Sequence, residues 1–142
     1  MNQAKRILVV DDAATVRLYH RKVLQEAGWA VDEALNGLEA LEKALLAEQT
    51  APYDLYVVDV NMPKMDGYAF IRALRRQAVE PAQAPVMMVS TEARSHDAGL
   101  AFAAGSNCYL VKPAGPAALV MTAALLLGDA NAAQAAAVGV TS

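Results

Sequence analysis

Ile7-Leu8-Val9-Val10-Asp11-Asp12 contains, in six residues, the two features on which the reading of this chain turns. Four consecutive apolar side chains, without the alternation of a half-solvated strand, describe a strand buried on both faces, as in a parallel sheet covered by helices. Two carboxylates follow at once, at the carboxyl end of that strand. Four further segments read as strands: Trp29 to Ala34, Leu55-Tyr56-Val57-Val58, Val86-Met87-Met88-Val89 and Cys108-Tyr109-Leu110-Val111. Helical periods lie between them. The first places Val16, Tyr19, His20, Val23, Leu24 and Ala27 on one stripe and ends at Gly28. The second follows Asn36-Gly37 and runs from Leu38 to about Ala47, with Leu38, Leu41 and Leu45 on one face. The third, Tyr68 to Gln77, carries Arg72, Arg75 and Arg76 at solvent-compatible spacing. The fourth runs to about Ala104, where Gly105 stops it, and the fifth spans Ala117 to Leu127. Regular alternation of strand and helix with short loops predicts an α/β domain, a five-stranded doubly wound parallel sheet.

Composition agrees. At 142 residues the chain fits one domain with a real core. Its 56% hydrophobic content includes 31 alanines, and the apolar stretch Ala114 to Leu127 is interrupted by Gly115, Pro116 and Thr122. That stretch falls short of the ~20 residues a membrane-spanning helix needs, so no membrane insertion is expected. The start of the chain reads without an apolar leader, and a cytoplasmic protein is expected. A net charge of −3 without a basic stripe argues against nucleic acid as a partner. The single cysteine, Cys108, has no metal-ligand spacing around it and reads as a small core residue.

In an open α/β sheet, ligands bind at the carboxyl ends of the strands. Here the first strand ends in Asp11-Asp12, the third in Asp59, the fourth in Ser90-Thr91 and the fifth in Lys112-Pro113. If the first and third strands are neighbours, ~4.8 Å apart, three carboxylates converge. Their repulsion calls for a proton or a cation. A hard divalent ion, magnesium above all, suits oxygen ligands of this kind, and Lys112 suits a phosphate oxygen or a carboxylate. Ser90 could hydrogen-bond the same phosphoryl group.

Asp11-Asp12, Asp59 within Val58-Asp59-Val60-Asn61-Met62-Pro63, the following Met65-Asp66-Gly67, Ser90 and Lys112-Pro113 together resemble the receiver domain of bacterial two-component response regulators. The likeness covers about Lys5 to Leu127 in order and spacing. Within the family it looks most like the single-domain, CheY-like chemotaxis type. The resemblance implies a flavodoxin-like sheet of strand order 2-1-3-4-5, with residues 1–127 as receiver domain and 128–142 as an alanine-rich tail, frayed or a helical extension.

It also implies roles. Asp59 would take a phosphoryl group from the phosphohistidine of a sensor histidine kinase or a histidine phosphotransfer domain. Asp12, Asp59 and the Asn61 carbonyl would ligate Mg2+, with Asp11 helping through water. Lys112 would pair with the phosphoryl oxygens, while Ser90 and Tyr109 would form the switch. Asn61 and Glu92 would tune dephosphorylation, on a timescale of seconds to minutes. The Lys112-Pro113 bond is expected to be cis. The output would be altered binding of a downstream protein, such as a flagellar motor switch, through the fourth helix, fifth strand and fifth helix. Such a protein is a phosphoacceptor regulator and not an enzyme. Three positions depart from the common pattern: Ser90 in place of threonine, Thr91 with added bulk, and Ala114 where an aromatic is frequent.

Alternatives remain at this stage. A phosphorelay intermediate or a phosphate sink would carry the same residues. An aspartyl-phosphate phosphohydrolase would ordinarily need a second aspartate where Asn61 stands, and a dinucleotide enzyme would need a G-x-G-x-x-G after the first strand. Asp11-Asp12 could be a helix cap, and Asp66-Gly67 reads as a turn. His20 reads as a packed histidine and His96 as a solvated one. Arg17 and Arg21 could guide a kinase or simply be solvated. Of 27 charged residues, 25 lie in the first 97 positions, leaving Lys112 and Asp129. The fifth helix therefore lacks the polar face an outer helix should show, and an apolar contact surface is expected there, for a partner or for self-association.

Overall fold

The computed structural model describes residues 4–77, 83–91 and 95–141. Eleven elements follow in order: β1 (Arg6–Val10), α1 (Ala14–Glu26), β2 (Ala30–Ala34), α2 (Gly37–Ala47), β3 (Leu55–Val58), α3 (Gly67–Arg75), β4 (Val86–Ser90), α4 (Ser95–Ala104), β5 (Cys108–Val111), α5 (Pro116–Leu127) and α6 (Ala130–Thr141). The five strands form one parallel sheet in the order β2-β1-β3-β4-β5. This is the doubly wound, flavodoxin-like arrangement. It follows from central strands that carry uninterrupted apolar runs, Ile7–Val10, Leu55–Val58 and Val86–Val89, since successive side chains point to opposite faces and both faces are covered.

Each face has its own core. Leu8, Val10, Tyr56, Val58, Val86 and Met88 pack toward Phe70, Ile71 and Leu74 of α3 and the small residues of α2 and α4. Ile7, Val9, Leu55, Val57, Met87 and Val89 face Leu24 of α1 and Leu119, Ala123, Ala124 and Leu127 of α5. Cys108 packs, partly buried, at the margin of this second core.

Three helices differ in packing from the sequence reading. On α2 the buried face is Gly37, Ala40, Ala44 and Ala47, whereas Leu38, Leu45 and Leu46 stay exposed. Small side chains let the helix lie close to its neighbours, and of the leucine stripe only Leu41 packs, half-buried, against the core. Arg75 of α3 is not a solvated side chain. Its guanidinium donates to the Gly105 carbonyl from Nε at 3.0 Å and Nη2 at 2.8 Å, and to the Ala84 carbonyl and Asn107. It thereby ties α3 to the entrances of β4 and β5.

The third difference concerns α5, whose apolar excess is met in part from within the chain. The alanine-rich end forms α6, and Ala132 and Ala133 join Val120 and Leu126 at the edge of the second core. Leu125 remains 68% exposed. Gly128, at φ +71°, supplies the left-handed turn between the two helices. Asp129 caps α6, its Oδ1 accepting from the Ala132 amide at 3.0 Å while its Oδ2 accepts from Trp29 Nε1 at 3.0 Å. Trp29 is buried, so the pair staples α6 to the α1–β2 turn.

Asp129→Ala is expected to release this staple, giving a red-shifted emission from Trp29, the sole tryptophan, and a lower helix signal. The Ala132 amide, then the Trp29 indole, hold the Asp129 carboxyl below its ordinary range. A group shifted in this direction contributes fully at neutral pH, and its contribution disappears only as the pH falls through the lowered value. An emission spectrum unchanged by the substitution would show that the staple holds nothing.

Candidate functional site

Sheet register assembles the site. Val10 of β1 pairs with Val58 of β3, so Asp11 and Asp59, one residue beyond each, stand side by side at the carboxyl edge. The Asp59 amide continues the ladder, donating to the Val10 carbonyl at 2.9 Å. On the other side, the Lys112 amide donates to the Ser90 carbonyl at 2.7 Å. That bond brings the end of β5 to the same edge, and the Lys112–Pro113 peptide that follows is cis.

The side chains then converge. Lys112 Nζ lies 2.6 Å from Asp11 Oδ2 and 3.1 Å from Asp59 Oδ1. Asp11 is 1% exposed and Asp59 9%, while Asp12 is open to solvent. One carboxylate oxygen from each of Asp11, Asp12 and Asp59 lies within 4.8 Å of the others. Unit charges ~4 Å apart interact by about 4 kcal/mol at an effective dielectric of ~20, so neighbouring carboxylates repel about as strongly as one lysine attracts one of them. Three carboxylates against one ammonium leave two negative charges uncompensated. Burial, then the charge of Asp11, pushes the Asp59 carboxyl above its ordinary value against the pull of Lys112. Burial alone would lower Lys112, but its hydrogen bond to Asp11 and the charges of Asp59 and Asp11 prevail and raise it, keeping the ammonium charged.

The donor set therefore fits a hard divalent cation: carboxylate oxygens, a charge deficit of two, and an exposed side at Asp12 where water can complete the coordination. Helix capping does not account for the acidic pair. The α1 cap position is Ala13, without a side-chain bond, and Asp12 is not the cap. Asp11 does accept the Ala13 amide at 2.9 Å through Oδ1, while its Oδ2 faces Lys112. Asp66, by contrast, caps α3 through the Ala69 amide at 2.8 Å, so its part is structural.

Around this centre the other sequence-chosen residues take different places. Ser90 is fully buried at the end of β4. Two residues on from Met88, it shares that residue's face of the sheet, and Tyr109 pairs with Met88 and packs partly buried against the same core. Asn61 is exposed in the loop after Asp59, and Thr91 is exposed after Ser90. Glu92 and the side chain of His96 lie outside the described residues. His20 is buried; desolvation, then the Lys112 charge, lowers its pKa and favours the neutral ring.

Two contacts were not legible in the motif. Arg17 donates from Nη1 to the Asp11 carbonyl at 2.7 Å and from Nε to Glu33 at 2.9 Å, and Arg21 also binds Glu33. The pair of arginines is thus engaged with β2, and Arg17 steadies the backbone of Asp11. Gly67 begins α3 so close to the site that a Cβ there would stand 2.1 Å from the Asp59 carbonyl oxygen. Only glycine lets α3 start against that carbonyl. Asp66-Gly67 announces a turn in sequence, but nothing in it tells what the turn touches.

Comparison with known proteins is consistent with this geometry. The family described as response regulator receiver domain matches residues 7–124. The transcriptional regulatory protein ResD of Bacillus subtilis is 36% identical over 126 residues, covering 89% of this chain and 49% of ResD. SphR of Synechococcus elongatus, an alkaline phosphatase synthesis transcriptional regulatory protein, is also 36% identical, over 87% of this chain and 49% of its own length. The chain spans about half the length of these two relatives. Among solved structures, chemotaxis protein CheY4 of Vibrio cholerae superposes with a TM-score of 0.79 at 36% identity, over 88% of this chain and 100% of CheY4.

Removing Lys112 leaves two buried carboxylates facing each other. Lys112→Ala is expected to destabilise the protein by about 3 kcal/mol in urea unfolding without divalent cation. In an Asp59→Asn background the same change should cost clearly less, because one of the charges it compensates is gone. Equal costs in both backgrounds would mean that Lys112 and Asp59 are not coupled.

Proposed function

The chain belongs to the response regulator receiver family, and from that premise we propose that it is a phosphorylation-activated switch of a two-component system with Asp59 as the phosphoacceptor. The observation that carries this reading is the position of Asp59: nearly buried, beside Asp11, with the Lys112 ammonium 3.1 Å from its Oδ1. Transfer to it requires one in-line displacement. An Asp59 oxygen bonds to phosphorus as the phosphorus–nitrogen bond of a phosphohistidine breaks and the imidazole nitrogen leaves with the bonding pair.

Charge on the transferred group is spread over its peripheral oxygens, so catalysis consists of positioning and neutralisation. Lys112 is the built-in cation for this task and is already held in place by Asp11. Mg2+ would be held by Asp12, Asp59 and the main-chain carbonyl of Asn61, with Asp11 acting through water, and when bound it supplies the remaining positive charge. Ser90, fully buried on the face it shares with Tyr109, is the hydroxyl through which phosphorylation would reach that ring. Asn61 and Glu92 are assigned to tuning the return to the unphosphorylated state, which places self-dephosphorylation in seconds to minutes.

Receiver domains are signalling regulators rather than metabolic enzymes, and a sensor histidine kinase or histidine phosphotransfer domain is the phosphoryl source in this reading. A chemotaxis-type output is supported by the likeness to CheY4, which this chain matches along the whole of that protein's length. The output surface is assigned to α4, β5 and α5, where Leu100, Phe102, Val111 and Leu125 are exposed. A flagellar motor switch is the proposed target, and the exposed part of α5 is assigned to self-association as well. None of the described helices is long and apolar enough to cross a membrane, and a cytoplasmic setting belongs to this reading.

Incubation with phosphorylated histidine kinase and magnesium is expected to label the wild-type protein and to leave Asp59→Asn unlabelled. The label should decay within seconds to minutes once kinase is removed. Labelling of Asp59→Asn at the wild-type rate would refute the assignment, and persistence for hours would refute the tuning roles of Asn61 and Glu92.

A further inference from the structure

We propose that Gly37, 22 positions before Asp59 and at the start of α2, is a positioning residue that fixes the loop of the phosphoacceptor site; this rests on the reading of Asp59 given above. The loop between Asp59 and Gly67 is held by two backbone hydrogen bonds. The Gly67 amide donates to the Val60 carbonyl at 2.8 Å and closes the loop. Near its far end, the Gly37 amide donates to the Met65 carbonyl at 3.0 Å.

The space at Gly37 is what makes that second clip specific. A Cβ there would meet the Met65 carbonyl oxygen at 2.6 Å and Met65 Cγ at 2.8 Å. The closest of these is backbone, which cannot swing aside as a side chain can, so any larger residue must displace either the loop or the start of α2. The start of α2 is independently fixed. Asn36 accepts the Glu39 amide at 2.9 Å, and the Glu39 carboxylate reaches back to the Leu35 amide at 3.3 Å, a reciprocal cap. The loop is thus the part that gives way. It already carries a left-handed residue, Lys64 at φ +69°, an uncommon conformation for a side-chain-bearing residue. Val60 and Met62 of the loop are buried in the core shared by α2 and α3, and Met65 packs partly buried on it.

The consequence reaches the chemistry because Asn61 lies on this loop, between Asp59 and the clip. A displacement at Met65 changes where the Asn61 backbone stands relative to the carboxylates of Asp11, Asp12 and Asp59. The expected effect is a loss of cation affinity and, in proportion, of phosphoryl acceptance. Outer residues that orient ligands of a metal site typically alter its affinity 10–100-fold.

The test compares the full-length wild type, Gly37→Ala and Gly99→Ala, using calorimetric titration with magnesium chloride, labelling by phosphorylated kinase, and urea unfolding. Gly99 lies on α4, where an added Cβ meets nothing within 4 Å, so it controls for a glycine-to-alanine change in a helix. Gly37→Ala is expected to weaken magnesium binding about tenfold and slow labelling to match, with Gly99→Ala like wild type. If Gly37→Ala does not fold, Met65→Ala is measured in its place and is expected to weaken magnesium binding about tenfold. A folded variant with a lower urea midpoint but wild-type magnesium affinity has lost only a structural contact, and that result overturns the proposal. Absence of magnesium binding and labelling in the wild type itself would instead overturn the phosphoacceptor reading.

Discussion

Repulsion among carboxylates at the ends of β1 and β3 is the constraint around which the functional end of this protein is arranged. A sheet whose central strands are apolar on both faces has no room for charge within its layers. Charge is admitted only at the edge where strands stop. Placing Asp11 and Asp59 on adjacent strands in register makes that edge electrostatically unfavourable by several kcal/mol, and Lys112, brought across from β5, offsets only part of it. The remaining deficit is what a divalent cation can relieve. A site of this kind sacrifices stability for readiness, and the two cores beneath it supply the rigidity that keeps the charges together.

The same edge explains how a local event can be felt elsewhere. Ser90 is buried at the end of β4, and Tyr109 packs one strand away against the core that also receives Met65 and the start of α2. A change in charge at Asp59 therefore faces a continuous set of packed groups leading toward α4 and β5. On the opposite face, α6 covers part of α5 and is tethered through Asp129 and Trp29. The two faces thus differ in character: one is packed by α2, α3 and α4, the other by α1 and α5, with the chain's own final helix over part of α5.

Much of this was legible in the sequence because the signals were redundant. Four apolar runs, each followed by a polar or charged residue, specify both the parallel sheet and the edge where chemistry collects, and the family match at residues 7–124 accords with them. What escaped was of another kind. Periodicity put the leucines of α2 on one face but could not tell that the alanine face, allowing closer approach, would be the buried one. Spacing marked Arg75 as solvated, although its guanidinium bonds two carbonyls distant in sequence. Gly37 and Gly67 read as turn residues, and only the fold shows that each marks a place where backbone meets backbone. Local pattern specifies elements; the contacts between elements depend on distances that no single segment encodes.

The acidic edge carries a charge deficit that a divalent cation is expected to relieve. Urea unfolding of the unphosphorylated wild-type protein over a range of magnesium chloride, at constant ionic strength, tests it most directly. Stability is expected to rise logarithmically with magnesium above its dissociation constant, as for any ligand that binds only the folded state, and the rise to be lost in Asp12→Asn with Asp59→Asn. Stability indifferent to magnesium, or raised equally in the double variant, would contradict it.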